Sequence, residues 1–115
     1  MEPQVRRFEQ PDDRQSGSLS EVDTVRLNSL TFMRATYAPG WRWSTHVGPT
    51  IGQASCQIEH IGTVESGRLR VTFPDGRTMN LAPGDLFLIP PGHDGEVEGD
   101  EPWVSLQLKG GPAAD

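Results

Sequence analysis

The sequence contains a single cysteine, Cys56, in 115 residues, which excludes an internal disulfide and makes a reducing cytoplasm the expected compartment. No apolar run approaches the length of a membrane span, and the polar N-terminus lacks a signal-peptide pattern, so no membrane partner is expected. Positive charge is sparse. The formal net charge is −6 and Arg6-Arg7 is the only basic cluster, which argues against nucleic acid as a partner. Apolar residues are also scarce, at 34%, so part of the chain is expected to lie outside a packed core. Those parts are residues 1–28, read as an arm that is partly disordered or an edge strand, and residues 110–115, read as a flexible tail. Helical periodicity is missing, and with it any helix N-terminus that could hold a phosphate.

What remains is a period-two pattern broken by glycine and proline. Residues 29–37 read as a strand ending at Ala38-Pro39-Gly40. In WRWSTHV (41–47), alternation sets Arg42, Ser44 and His46 on one strand face and Trp41 and Trp43 on the other. After a loop at 48–54, residues 55–65 read as a strand interrupted at Gly62. Further strands are expected at 68–73, 78–81, 86–90 and 103–108, separated by Pro74-Asp75-Gly76, Ala82-Pro83-Gly84-Asp85 and Pro90-Pro91-Gly92 turns. The acidic stretch 94–101 reads as a solvated loop. Short strands at this spacing form an all-β sandwich or barrel, here a single domain over 29–109.

All three histidines, His46, His60 and His93, stand beside turns in this pattern, and imidazole and thiolate are the side chains that bind transition metals best. Cys56 shares a face with Ile58 and His60, but four residues of straight strand separate its Cα from that of His60 by roughly 13 Å. Ligand atoms on one metal lie only about 3–4 Å apart, so Cys56 joins His60 only where a bulge or turn breaks the strand. Otherwise it is a small buried apolar residue. Asp94 is placed to support the second ring nitrogen of His93, and Arg42, on the His46 face, to meet an anionic substrate.

These motifs resemble those of the cupin family, small jelly-roll barrels of the double-stranded β-helix type, and the likeness spans residues 30–108. Gly40 followed by five residues and His46 resembles the first cupin motif, with Gly67 as its closing glycine. Gly84, Pro90 and Gly92 resemble the second, with His93 following at once. The site departs from the pattern: Gly48 stands at the second histidine, His60 at the glutamate and Gly95 at the last histidine, and residues 49–59 are an insertion. The resemblance implies a jelly-roll fold, a homodimer, and a divalent transition metal (Fe, Zn, Mn or Ni) held by His46, His60 and His93 beside a small-molecule site. It leaves open dioxygenase, isomerase or lyase chemistry, a non-catalytic metabolite-binding or sensor role, and a barrel without metal.

Overall fold

Alternating burial along the strands makes the fold. Leu69 and Val71 of one strand, Phe87 and Ile89 of another, and Gly95 and Val97 of a third point inward while their neighbours face out. The computed structural model describes residues 2–110. Its elements are β1 (Asp13–Gly17), β2 (Ser20–Leu27), β3 (Leu30–Tyr37), α1 (Trp43–His46), α2 (Gly48–Ile51), β4 (His60–Ser66), β5 (Arg68–Thr72), β6 (Thr78–Leu81), β7 (Leu86–Ile89), β8 (Asp94–Glu98) and β9 (Trp103–Gly110). Six strands form one antiparallel sheet in the order β1-β2-β3-β9-β4-β7, and β6-β5-β8 form the second. The two sheets face each other as a jelly-roll around Trp41, Trp43, Val64, Leu69, Val71, Phe87 and Trp103. Beyond Gly110, the residues expected as a tail lie outside the described residues.

The all-β reading holds, with corrections that matter for the site. Residues 43–51, read as the end of a strand and a loop, form two single turns of helix. The sequence here satisfies both periods: Trp43, His46 and Val47 are i, i+3 and i+4 on one helical face. The turn is closed by His46 N–H donating to the Arg42 carbonyl at 2.8 Å and Val47 N–H to the Trp43 carbonyl at 2.9 Å. The Asp94 carboxylate accepts the otherwise unpaired Ser44 N–H at 3.0 Å. The stretch read as one strand from residue 55 is broken, because only His60–Ser66 joins the sheet. Cys56 pairs instead with His93, through Cys56 N–H to the His93 carbonyl at 2.7 Å.

The acidic stretch is not all loop. In β8, Gly95 and Val97 face the core while Glu96 and Glu98 meet Arg42 and Arg70 outside. The N-terminal segment contains the β1–β2 hairpin, whose outer strand is exposed at every residue and anchored by Arg14 to the buried Asp23 at 2.7 Å. Two glycines permit the packing of β4 on β9. A Cβ at Gly62 would lie 2.1 Å from the Leu106 carbonyl oxygen, and one at Gly67 would lie 2.1 Å from that of Pro102. Gly67 also has φ +77°, a conformation that side chains other than glycine adopt at a cost.

Candidate functional site

A cavity of about 440 Å³ opens between the sheets. All three histidines, the only cysteine, all three tryptophans and the only tyrosine of the chain lie in its wall. Among the described residues, no Asp, Glu, Lys or Arg does. The concentration of every heteroaromatic and sulfhydryl side chain around one space is a product of topology. The residues come from β3, α1, the Cys56 bridge, β4, the turn before β8, and β9.

At one end of the cavity, ligand atoms of Cys56, His60 and His93 all lie within 4.8 Å of one another. Cys56 Sγ is 3.6 Å from His60 Nε2, already the separation of two ligands on one tetrahedral ion. The imidazoles meet edge to face, with centroids 5.2 Å apart and planes at 71°. Their outer nitrogens are tied back. His93 Nδ1 donates to the Pro90 carbonyl at 2.7 Å, and a carbonyl only accepts, so its Nε2 retains the lone pair. His60 Nδ1 donates to Gln107 Oε1 at 2.8 Å, while the Gln107 amide nitrogen donates to Ser105 Oγ at 3.1 Å. That second bond orients the amide, and His60 Nε2 is left to accept from the Cys56 thiol. Both rings are therefore held at Nδ1 by a second group, as the rings of metal-ligating histidines commonly are.

Electrostatics act in the same direction. Burial lowers the His60 pKa below the ordinary histidine value, against the opposing effect of the Gln107 bond. Burial also lowers that of His93, with the neighbouring His60 adding to the shift and the Pro90 bond opposing it. Neutral imidazole is the ligating form. Burial raises the Cys56 pKa, so that group is a thiol until something displaces its proton. Tyr37 is pushed up to about 12, by burial first and then by its proximity to Cys56. A donor set of one sulfur and two imidazole nitrogens suits zinc, iron(II) or copper better than magnesium or calcium. The residues present fit a metal of that kind.

The expected site residues divide. His60 and His93 come together, and Cys56 joins them because the strand breaks at 57–59, the condition its ligation required. His46 lines the cavity but lies outside that cluster, and its Nδ1 is 3.0 Å from the Arg42 backbone nitrogen, closing the helical turn. Arg42 does not line the cavity; its guanidinium pairs with Glu96. Asp94 acts on His93 through its charge and not through a hydrogen bond to the ring. Its carboxylate takes the Ser44 and Gly95 N–H groups, and the Pro90 carbonyl fills the role assigned to it. Trp41 and Trp43, expected across the strand from His46, line the same cavity, because a helical turn replaces that strand. Gln107 and Tyr37 were not singled out from the sequence. Period two in WVSLQL does place Gln107 on the face of the buried Trp103 and Ser105, and an inward glutamine needs a polar partner.

Comparison with known proteins gives a family and a fold. The AraC-like ligand binding domain family matches residues 57–114. No curated protein matches the sequence. Among solved structures, an RmlC-like cupin from Shewanella frigidimarina is 16% identical, with a TM-score of 0.62 over 93% of this chain and 89% of that one. The polyketide cyclase RemF from Streptomyces resistomycificus is 17% identical, with a TM-score of 0.62 over 94% of this chain and 78% of that one. A cupin-superfamily sugar phosphate isomerase from Silicibacter pomeroyi is 17% identical, with a TM-score of 0.56 over 84% of this chain and 69% of that one. At these identities the likeness is one of fold.

Proposed function

The chain belongs to the AraC-like ligand-binding domain family, with a small cupin fold, and from that premise we propose that it binds a small organic molecule beside a transition metal. Cys56 Sγ, His60 Nε2 and His93 Nε2 hold the metal, and the cavity above them holds the molecule. The observation that carries this reading is the convergence of the three donor atoms within 4.8 Å in the wall of a cavity that, among the described residues, no charged Asp, Glu, Lys or Arg lines. Zinc, iron(II) or copper fits the donors best, and nickel or manganese less well. Such a metal, when bound, polarises or activates an oxygen donor placed on it.

The chain's own residues do the rest. Gln107 and the Pro90 carbonyl fix the two rings, and the Cys56 thiol loses its proton on ligation, so occupancy rises with pH. Binding is the primary role. Turnover is a second possibility at the same site, and the relatives named as an isomerase and a cyclase are its support.

Metal analysis by inductively coupled plasma mass spectrometry, on untagged protein, tests the proposal. One equivalent is expected in the wild type, with loss in His60→Ala and His93→Ala and retention in His46→Ala. Gln107→Leu keeps the ligands but weakens affinity by about 10–100-fold. Loss in His46→Ala as well would move the site to the three-histidine set. A chain that takes up none of these metals on reconstitution would be a metal-free ligand-binding barrel, its histidines held by hydrogen bonds alone. We also propose a cytoplasmic homodimer, paired through the outer face of the large sheet, where Ile61, Leu86, Leu88 and Leu108 are exposed.

A further inference from the structure

Given the reading above that the cavity holds a metal and a small molecule, the ring tautomers assign a role to the histidine outside the metal cluster. His60 and His93 donate from Nδ1 and keep a lone pair on Nε2. His46 is bonded the other way round. The Arg42 backbone N–H meets His46 Nδ1 at 3.0 Å, and a backbone N–H only donates, so Nδ1 is the acceptor. The Arg42 carbonyl, 3.2 Å from the same nitrogen, already accepts the Thr45 and His46 N–H groups at 3.1 and 2.8 Å. The Arg42 N–H, by contrast, has no other acceptor among the described residues. A neutral ring that accepts at Nδ1 carries its proton on Nε2. That N–H has no partner among the described residues, and the ring is half-buried in the cavity wall. Several other donors of the wall are committed or out of reach. Gln107 is bonded to Ser105 and Thr50 to the Val47 carbonyl, and the unpartnered indole nitrogens of Trp41 and Trp103 are wholly buried. Charge narrows what the His46 N–H can meet. A divalent ion held by one thiolate and two neutral imidazoles keeps a single positive charge, and a buried charge without a partner is costly. Among the described residues no Asp or Glu lines the cavity to balance it. A monocarboxylate does so, and its oxygens accept strongly from an N–H. A neutral hydroxyl leaves the charge standing, and a phosphate monoester brings a second negative charge for which no Lys or Arg stands in the described wall.

We propose that the cavity takes a monocarboxylate, one oxygen of which accepts the Nε2–H of His46. His46 is a specificity-determining residue in this arrangement, separate from the metal ligands.

Long-range proton–nitrogen NMR of the imidazoles in the metal-free protein, at about pH 8, tests the tautomers. His46 is expected with its proton on Nε2, and His60 and His93 with theirs on Nδ1. Isothermal titration calorimetry then compares benzoate, benzyl alcohol and phenyl phosphate, which share a ring and differ in head group, on zinc-loaded and on chelator-treated protein. Benzoate is expected to bind the zinc form saturably, at least about tenfold more tightly than either of the others. His46→Asn keeps an acceptor for the Arg42 N–H and removes the Nε2–H. It should weaken benzoate by about three- to tenfold, the worth of one hydrogen bond, with zinc content and melting temperature near those of the wild type. His46→Gln, whose amide restores an N–H, should recover most of the loss. A His46 proton on Nδ1, or unchanged benzoate affinity in His46→Asn, would overturn the role of His46. Benzyl alcohol or phenyl phosphate binding as tightly as benzoate, or no saturable benzoate binding, would overturn the ligand class. The two proposals fail separately. Zinc uptake without benzoate binding leaves only the metal reading, and a chain that takes up no metal but loses benzoate affinity in His46→Asn leaves only this one.

Discussion

The chemistry of the site resides in which nitrogen of each imidazole is free. In both His60 and His93 an acceptor takes Nδ1–H, and the remaining nitrogen of His60 lies 3.6 Å from Cys56 Sγ. Holding two histidines neutral has a consequence for stability. Their folded pKa values lie below the ordinary value of 6.5, so between those values and 6.5 the unfolded chain binds more protons than the folded one. The stabilisation is complete above pH 6.5 and is lost as the pH falls through the depressed folded values. Urea denaturation of the metal-free protein at a series of pH values should show stability falling below pH 6.5, with a shallower fall in His60→Gln. A flat profile there would mean that the rings are solvated and free to charge. His60 and His93 are legible in the sequence as candidates because imidazole is rare in this chain and stands beside turns. Their partners are not, because a carbonyl such as that of Pro90 carries no residue-type signal.

At the scale of elements, two local choices make the site. The first is the break after Cys56. A continuous strand would hold Cys56 and His60 roughly 13 Å apart along its length, whereas the observed break brings Sγ and Nε2 to 3.6 Å. The second is the helical turn at Trp43–His46, which turns Trp43 into the cavity and ties His46 to Arg42. Period two and period 3.6 agree over so short a segment, so pattern could not separate strand from helix there. The helical turn is held by Asp94 of β8, and the β4–β9 pairing, which depends on Gly62, sets His60 near Gln107. Gly62→Ala would drive its Cβ into the Leu106 carbonyl and force β4 off β9. A loss of about 1–3 kcal/mol or more is expected by thermal or urea denaturation, and the chelator-treated protein should show it as fully as the loaded one. A neutral effect would mean that the bulge between Val64 and Ser66 absorbs the shift.

For the whole molecule, the balance of surface and core points outward as well as in. The large sheet presents Leu86 at 86% and Leu88 at 54% exposure on an edge strand, with Ile61 beside Leu88 in register. An apolar edge of this kind is an aggregation liability unless it is covered. Light scattering after size exclusion should give twice the 12.6 kDa chain mass, and Leu88→Glu should return the monomer. A monomeric wild type would remove the proposed dimer and leave the cavity argument untouched.

The sequence by itself determined the all-β class, the order of most strands and the turns between them, because alternation and glycine-proline punctuation are local properties. It also identified the chemically able side chains. Tertiary structure alone decided which of them meet. Cys56 is brought to His93 by a backbone bridge across 37 positions of chain, Gln107 reaches His60 from the last strand, and Asp94 is diverted to a helical turn. Such pairings depend on sheet register and on where a strand breaks. Register is set by the packing of all the strands together and is written at no single position.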